Sequence, residues 1–389
     1  MISKLIWANV RDQPLQFLLA VLLCALGMAS ILAVLGLQHT LETHGARQAE
    51  GIDLVVGAKG SALQNTLAAV YHLDVPNGNI RLADVETLAK HPMVAQAIPI
   101  SLGDSVGGAR IVGAPDPFYA LYNAKPEQGV LPNAPLEAAI GAAAARKLKL
   151  RIGDQFFGTH GFADSGDAHG DHAFVVTAIL APTGRVIDNL VVTPLASVWV
   201  VHAEHTDANA PAEVTFALLR LRGLAAMASL PRFINAETPM QATSPATESA
   251  RLLANFDWIA VIIKSFAAAL TVATALALLG ALSQALEHRQ TDLALLRAMG
   301  VKRAQLWWLL LGQALASVLL AALVALLLIA AGAWWLERYA LPGVVVNGGY
   351  LAQLALWVTL AALALAILST IPVIVRTLRL DIAALLSKS

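Results

Sequence analysis

Charge is what this sequence has least of. Aspartate, glutamate, lysine and arginine make up 13% of its 389 residues, against about 25% in an ordinary soluble domain. With 57% hydrophobic residues and a mean hydropathy of +0.66, the deficit must lie in segments that never meet water. Formal net charge is zero, so no basic excess points to nucleic acid as a partner. The single cysteine, Cys24, excludes an intrachain disulfide and leaves the redox compartment unread. Within its hydrophobic run it reads as a small buried hydrophobe. Two patterns are missing altogether: no GxxxxGK(S/T) phosphate loop and no HExxH metal-binding helix occurs in the chain.

What the sequence has is long apolar runs. A spanning helix needs about 20 mostly apolar residues. Gln13 to Leu41 contains no Asp, Glu, Lys or Arg, and the same holds for Ser265–Leu286, Ala304–Leu336 and Tyr339–Val375. Pro342, Gly343, Gly348 and Gly349 open the last run as a loop, so its helix is expected to begin near Tyr350 and to stop around Pro372. The third run is bracketed by Trp307-Trp308 and Trp334-Trp335, a separation of roughly 39 Å on a helix. That matches a bilayer with its interfaces, where tryptophan concentrates.

Basic residues set a direction. Lys4 and Arg11 precede the first run; Arg289, Arg297, Lys302 and Arg303 separate the second from the third; Arg376, Arg379 and Lys388 follow the fourth. Arg338 alone lies between the third and fourth, offset by Glu337. The expectation is an α-helical membrane protein with four transmembrane helices and a mixed α/β extracytoplasmic domain inserted between helices 1 and 2. Residues 1–41 carry the cytoplasmic N-terminus and helix 1, and 42–255 the outside domain. Helix 2 is 256–286, followed by a cytoplasmic connector at 287–304. Helix 3 is 305–336, helix 4 is 350–375, and 376–389 form a cytoplasmic tail. A cleaved signal peptide over 1–37 is the alternative, but its apolar core exceeds the usual 7–15 residues.

Residues 42–255 are long enough for a core of their own. "GIDLVVGAKGS", "MVAQAIPIS", "ARIVGA" and "TFALLRLRG" read as strands, "LADVETLAKHP" and "LAAMASLPRFINAE" as helices. Two strand–helix units thus flank a β-rich middle piece at about 125–200, with "HAFVVTAIL" and "NLVVTPL" as its strands. Two sites are tempting and fail. "VVGAKGSALQ" (Val55 to Gln64) places Lys59 before Gly60, in the wrong order for a phosphate loop. "GDSVG" around Ser105 fits GxSxG, but a strand rather than a helix follows, so Ser105 is expected in a hairpin loop.

"TDLALLRAMGVKRAQLWWLLL", Thr291 to Leu311, is more telling. Asp292, Leu295, Leu296 and Met299 share one helical face. Thr291 can cap the start and Gly300 the end, before Lys302 and Arg303 meet the third apolar run. On physics alone this is either an interfacial connector with basic anchors or a docking helix for a partner. "LALLRAMGVKRAQL" resembles the signature that precedes the third span in the MacB/FtsX superfamily of ABC-transporter permeases, which includes the macrolide exporter, the lipoprotein-releasing complex and the cell-division permease. "IGAAAARKLKLRIGDQF" (Ile140 to Phe156) is similar to the family's outside-domain pattern at Gly141, Ala144, Leu148, Leu150, Gly153 and Asp154. "FVVTAILAPTG" (Phe174 to Gly184) resembles the strand and turn that follow.

The resemblance implies that 291–303 is a coupling helix seated in a cytoplasmic ABC ATPase dimer, through Leu295, Leu296, Arg297, Met299 and Gly300 with Lys302 and Arg303 beside them. It further implies a non-catalytic permease in the bacterial inner membrane with both termini cytoplasmic. ATP and magnesium would be bound by the partner chain, and a second permease copy would complete a homodimer. A periplasmic adaptor or binding protein is a further candidate partner, alongside membrane lipid. Small residues Ala25, Gly27 and Ala29 in the first span suit close helix packing, and two copies could meet there. Lys264 is an isolated charge near the outer end of the second span, read as snorkelling or as part of an extended stalk.

Between Phe157 and Phe174 stands "GTHGFADSGDAHGDHA", where His160, His169 and His172 mix with Asp164, Asp167 and Asp171. It reads either as a solvated polar loop or as a transient zinc site built from the three histidines and Asp171. "VHAEH" adds little: on a strand His202 and Glu204 share a face and His205 does not. The functional expectation is export or periplasmic substrate handling driven by a separate ATPase, with metal or metallophore among the substrate classes. A transmembrane signalling scaffold that activates outside partners without transport is the alternative. A membrane enzyme using Ser105 or the histidine loop lacks the required context.

Overall fold

A computed structural model describes residues 14–159, 172–202, 211–252, 303–340 and 346–378, together with 254, 258, 261–266, 268–270 and 272–273. The chain divides into two compact units: residues 1–42 with 256–389, and residues 43–255.

Three helices are long and apolar enough to cross a membrane: Phe17–Gln48, whose end from Thr43 belongs to the second unit, Leu311–Arg338 and Gly348–Ile371. The expected second span falls mostly on undescribed positions, where Val261–Leu270 is an apolar helix too short to count as a crossing. The first helix runs unbroken from Pro14 to Gln48 over 35 residues. At about 1.5 Å per residue that is roughly 50 Å, well beyond the ~30 Å hydrocarbon core.

Its inward face is small: Ala25, Met28 and Ala29, with Val21, are buried against Ala321, Ala322 and Ala325 of the helix Arg303–Trp335. Gly36 lets the helix Gly348–Leu378 approach closely, since a Cβ there would stand 2.6 Å from Leu351 Cδ2. Beside it the rings of His39 and Tyr350 stack at 3.8 Å. Trp308 and Trp334–Trp335 are exposed near the two ends of the third helix, as membrane-interface tryptophans require.

The fourth helix corrects one expectation. It runs Gly348–Leu378, past Pro372. Proline removes an N–H from the ladder, and in a membrane helix neighbouring hydroxyls offset such losses. Ser369 Oγ donates to Ala366 O at 2.9 Å and Thr370 Oγ1 to Ile367 O at 2.7 Å, in the turn before Pro372 and not on the Leu368 carbonyl whose usual donor the proline lacks. Asn347 caps the start, its Oδ1 accepting from Tyr350 N at 3.1 Å.

The second unit is a mixed α/β domain. Its strands are β1 (Leu54–Ala58), β2 (Ile80–Arg81), β3 (Val94–Val106), β4 (Ala109–Gly113), β5 (Pro126–Gly129), β6 (Glu137–Ile140), β7 (Gln155–Phe156), β8 (Phe174–Leu180), β9 (Val191–Thr193), β10 (Glu213–Val214), β11 (Phe216–Leu221) and β12 (Met240–Thr243). Among the described residues one sheet runs β12-β1-β11-β3-β4-β9-β6-β8-β5, with β7 paired to β8, and β10 pairs β2 separately. β3 joins the two halves: Val94 to Ile100 pair with β11, and Ser101 to Val106 with β4, the register shifting between Leu102 and Ser105. Alternation along β8 places Phe174, Val176, Ala178 and Leu180 inward.

Three cores result. One holds Ile98, Ile100, Val112, Phe118, Tyr122, Phe216 and Leu218 and is common to both halves. A second packs the helices Leu82–Ala89 and Leu224–Glu237 onto Leu54, Val56 and Leu219 through Val85, Leu88, Leu230 and Ile234. A third, in the middle piece, packs Ala144 and Ala145 on Ile111, Ile140 and Val176. Removing a buried Phe or Leu from such cores costs about 2–5 kcal/mol.

Candidate functional site

Within residues 43–255 a set of polar contacts joins positions far apart in sequence. The loop after β8 is stiffened from within. Asp188 accepts from Thr183 N, Thr183 Oγ1 (2.8 Å) and Gly184 N (2.8 Å), so residues 183–188 form a closed polar turn. Arg185 projects from it: Nη1 donates to Leu121 O at 2.8 Å, and Nη2 to Gln48 O at 3.3 Å and Glu50 O at 2.9 Å. Its guanidinium carbon lies 4.5 Å from the centre of the Tyr122 ring. Gln48 closes the contact from the other side, its Oε1 accepting from Val186 N at 2.6 Å. Gln48 is only 3% exposed.

A second contact reaches both helical approaches to the domain. Tyr71 Oη donates to Gly45 O at 3.3 Å and shares a hydrogen bond with Ser249 Oγ at 2.9 Å. Gly45 belongs to the first helix, and Ser249 to the helical segment that follows β12.

Several ionisable groups of the domain depart from their ordinary ranges. His72 is 5% exposed in the left-handed region at φ 54, with neither ring nitrogen partnered among the described residues. Burial, with the Arg110 guanidinium beside it, pushes its pKa down to about 3. Arg110 donates to Asp74 O at 2.9 Å. Burial raises the Tyr122 hydroxyl above its usual range, against the opposing charge of Arg185. Glu137 is held below the usual carboxylate range by the Asn133 and Ala134 amides that donate to it at 2.8 and 3.0 Å.

The motif positions named from sequence have physical reasons. Gly141 precedes the helix Ala142–Leu148, donates to Leu190 O at 2.9 Å, and lies against the Ile187 and Asp188 carbonyls where a Cβ has no room. Ala144 is 2% exposed in the third core. Gly153 takes φ +87, and Asp154 Oδ2 accepts from Arg151 N at 2.8 Å to close the turn into β7. Leu148 and Leu150 pack on the same core.

The two failed motifs have structural roles. Ser61 caps the helix Ala62–Thr66 through Gln64 N, and Gly60 N donates to Gln241 Oε1 at 2.8 Å. Ser105 corrects an expectation, since it stands on β3, paired with Arg110 and buried, and not in the hairpin loop. The register shift at Gly103 lets the strand run on past the glycine.

Of the residues expected to couple to an ATPase, Leu295, Leu296, Arg297, Met299, Gly300 and Lys302 lie outside the described residues; Arg303 begins the third helix. His160, His169 and Asp171 also lie outside them, and His172 lies two residues before β8. The feet of that loop are fixed: Thr159 and Ser105 exchange backbone hydrogen bonds at 2.8 and 3.0 Å, and the rings of Phe156 and Phe174 stack at 5.3 Å. Among the described residues no group of three metal-ligating side chains converges. Ala25, Gly27 and Ala29 are buried in the single chain, and Ala25 and Ala29 face its own third helix. Lys264 Nζ donates to Gln38 Oε1 at 3.3 Å, and Gln38 Nε2 to Glu42 Oε1 at 3.0 Å, a polar cluster at the far end of the first helix.

Two family models match in sequence order. The MacB-like periplasmic core domain matches residues 17–231, more than half of the chain, and the FtsX-like permease C-terminal matches 264–382. The chain belongs to the MacB/FtsX family of ABC-transporter permeases. Members work with ATPase partners and are generally non-catalytic themselves. Among solved structures, the chain is similar to the crystal structure of the periplasmic region of MacB from Actinobacillus actinomycetemcomitans, at 12% identity and a TM-score of 0.36, covering 52% of this chain and 95% of that one. It is also similar to the extracellular domain of the noncanonic ABC-type transporter YknZ from Gram-positive bacteria, at 12% identity and a TM-score of 0.32, covering 49% and 99%. No curated protein matches. The MacB/FtsX membership accounts for the apolar helices and the periplasmic-type domain together.

Proposed function

We propose that the chain is the permease subunit of an ABC transporter of the bacterial inner membrane. In this reading ATP hydrolysis by a separate ATPase dimer moves the 291–303 helix, and the spans carry that movement to residues 43–255 on the periplasmic side. The subunit serves export or periplasmic substrate handling and makes no covalent bond itself. The observation that carries the reading is the ordered match of both family models, 17–231 and 264–382. The unbroken helix Pro14–Gln48 supports it, since a helix longer than the bilayer core can pass displacement as a rigid rod. The scarcity of charge in the spans also fits, because polar transport paths are normally marked by intramembrane ionisable groups.

Topology follows from the basic residues: both termini and the 287–304 connector are cytoplasmic, with the second span at 256–286 completing the four. The complex is a homodimer of the permease, with a periplasmic adaptor or binding protein as a further partner.

The test is a gentle-detergent pull-down from native cells with partners identified by mass spectrometry, beside the double variant Leu295→Asp, Arg297→Glu. An ABC ATPase recovered with wild type and lost with the variant is the expected result. Equal recovery from both would remove 291–303 from the contact, and no ATPase after crosslinking would remove the transporter reading.

A further inference from the structure

We infer that Arg185, with Gln48 and Tyr71, forms the joint through which displacement of the helical legs enters the domain. The inference rests on the proposed permease function and assigns the positioning residue that makes it mechanical.

The end of a helix leaves its last carbonyls without intrahelical partners. At the end of Pro14–Gln48 a single guanidinium takes up that role, donating to Gln48 O and Glu50 O while its other terminal nitrogen holds Leu121 O. The planar fork is what allows one side chain to bridge three carbonyls from two separate segments. A cation at a helix C-terminus is also favoured by the dipole. Tyr122 backs the guanidinium face, and Tyr122 is itself fully buried in the shared core beside Phe118, ring centres 5.1 Å apart. Displacement of the helix end therefore bears directly on the core.

The turn that carries Arg185 is bonded from two sides. Asp188 pins Thr183 and Gly184, and Val186 N is bonded to the Gln48 side chain. Residues 186–189 then pack on Gly141 and lead into β9, which joins β4 to β6 in the sheet. The pathway from helix to sheet is continuous: Gln48, Arg185, the 183–188 turn, β9. Tyr71 adds the other leg, since one hydroxyl contacts Gly45 on the first helix and Ser249 on the segment approaching residue 255. Arg185 and Tyr71 contact backbone or hydroxyl groups at the roots of the legs, and Gln48 accepts from a backbone amide of the turn, so these contacts fix position.

The experiment uses the full chain in complex with its co-purified ATPase and reads hydrogen exchange with and without vanadate-trapped nucleotide. In wild type, trapping is expected to alter exchange both in the spans and in residues 174–193. Arg185→Met keeps the aliphatic stem and loses the fork. It is expected to speed exchange of amides 43–50 at least tenfold and to abolish the nucleotide-dependent change in 174–193, while the ATPase is still recovered and the spans still respond. Arg185→Lys keeps the charge without the fork and should behave like the methionine variant. Tyr71→Phe removes one hydroxyl only and should lower the response reaching the domain without altering ATPase recovery, which keeps the test decisive if Arg185 variants misfold. A nucleotide response in 174–193 that survives both Arg185→Met and Tyr71→Phe overturns the joint and leaves the permease reading standing. Failure of wild type to recover any ATPase overturns both.

Discussion

Lowering the pH should unload stability from the domain through a single side chain. His72 is buried with no partner on either nitrogen among the described residues, and its pKa is pushed from 6.5 down to about 3. The unfolded chain therefore takes up a proton near pH 6.5, whereas the folded chain does not until about pH 3. Stability contributed by the neutral form is complete above pH 6.5 and falls as the pH drops through the window between the two values. At about 1.36 kcal/mol per unit, acidification to pH 5 removes about 2 kcal/mol through this group. For a domain of this size that is a midpoint shift of about 4–8 °C. His72→Asn tolerates the φ of 54 and cannot titrate. Calorimetric unfolding of the full chain in detergent at pH 7.5 and pH 5 should show the extra loss in wild type and its absence in His72→Asn. The reasoning is refuted if both proteins lose the same number of degrees, since other titrating groups would then account for the whole pH effect.

Three further outcomes are expected. Tyr122→Phe removes a buried hydroxyl with no partner among the described residues and should raise stability by about 1 kcal/mol, because burying such a group unpaired costs about 1–3; a loss of that size in denaturant unfolding would reveal a partner for the hydroxyl. Gly141→Ala drives a methyl into the Ile187 and Asp188 backbone and should destabilise by about 2–3 kcal/mol, measured the same way; a neutral result would mean the 186–189 turn can move. If the 160–171 loop holds zinc, alanine at His160, His169 and His172 together must weaken zinc binding at least tenfold in calorimetric titration of the full chain; unchanged affinity leaves the loop as a solvated connection.

Much of this was legible in the residues. Tryptophans flanking an uncharged run placed the third helix to within a few residues, since both composition and interface preference point the same way. Period-2 and period-3.6 patterns located β1, β4, β8 and β11 and the helices Leu82–Ala89 and Leu224–Glu237. The first helix was read short because Glu42 ends the uncharged run, although a charge ends only membrane burial and leaves the backbone helical to Gln48. Ser105 was placed in a hairpin loop because a second strand follows it; β3 instead runs on to Val106, its register shifting between Leu102 and Ser105. Pro372 was read as a stop, but one missing N–H does not end a membrane helix, which runs on to Leu378.

The joint itself was invisible for a different reason. Arg185 meets Leu121 across 64 positions and Gln48 and Glu50 across 137 and 135, and no local spacing encodes such pairs. The one trace was the "APTGR" turn with Asp188 three residues on, a pattern that fixes a loop without naming what it grips.

The central claim is that residues 291–303 meet an ATPase. A photo-crosslinking amino acid at Met299, activated in native cells, tests it most directly. The predicted adduct joins this chain to an ABC ATPase and disappears when Leu295→Asp is added. Adducts formed with lipid alone would make the segment an interfacial connector and contradict the account.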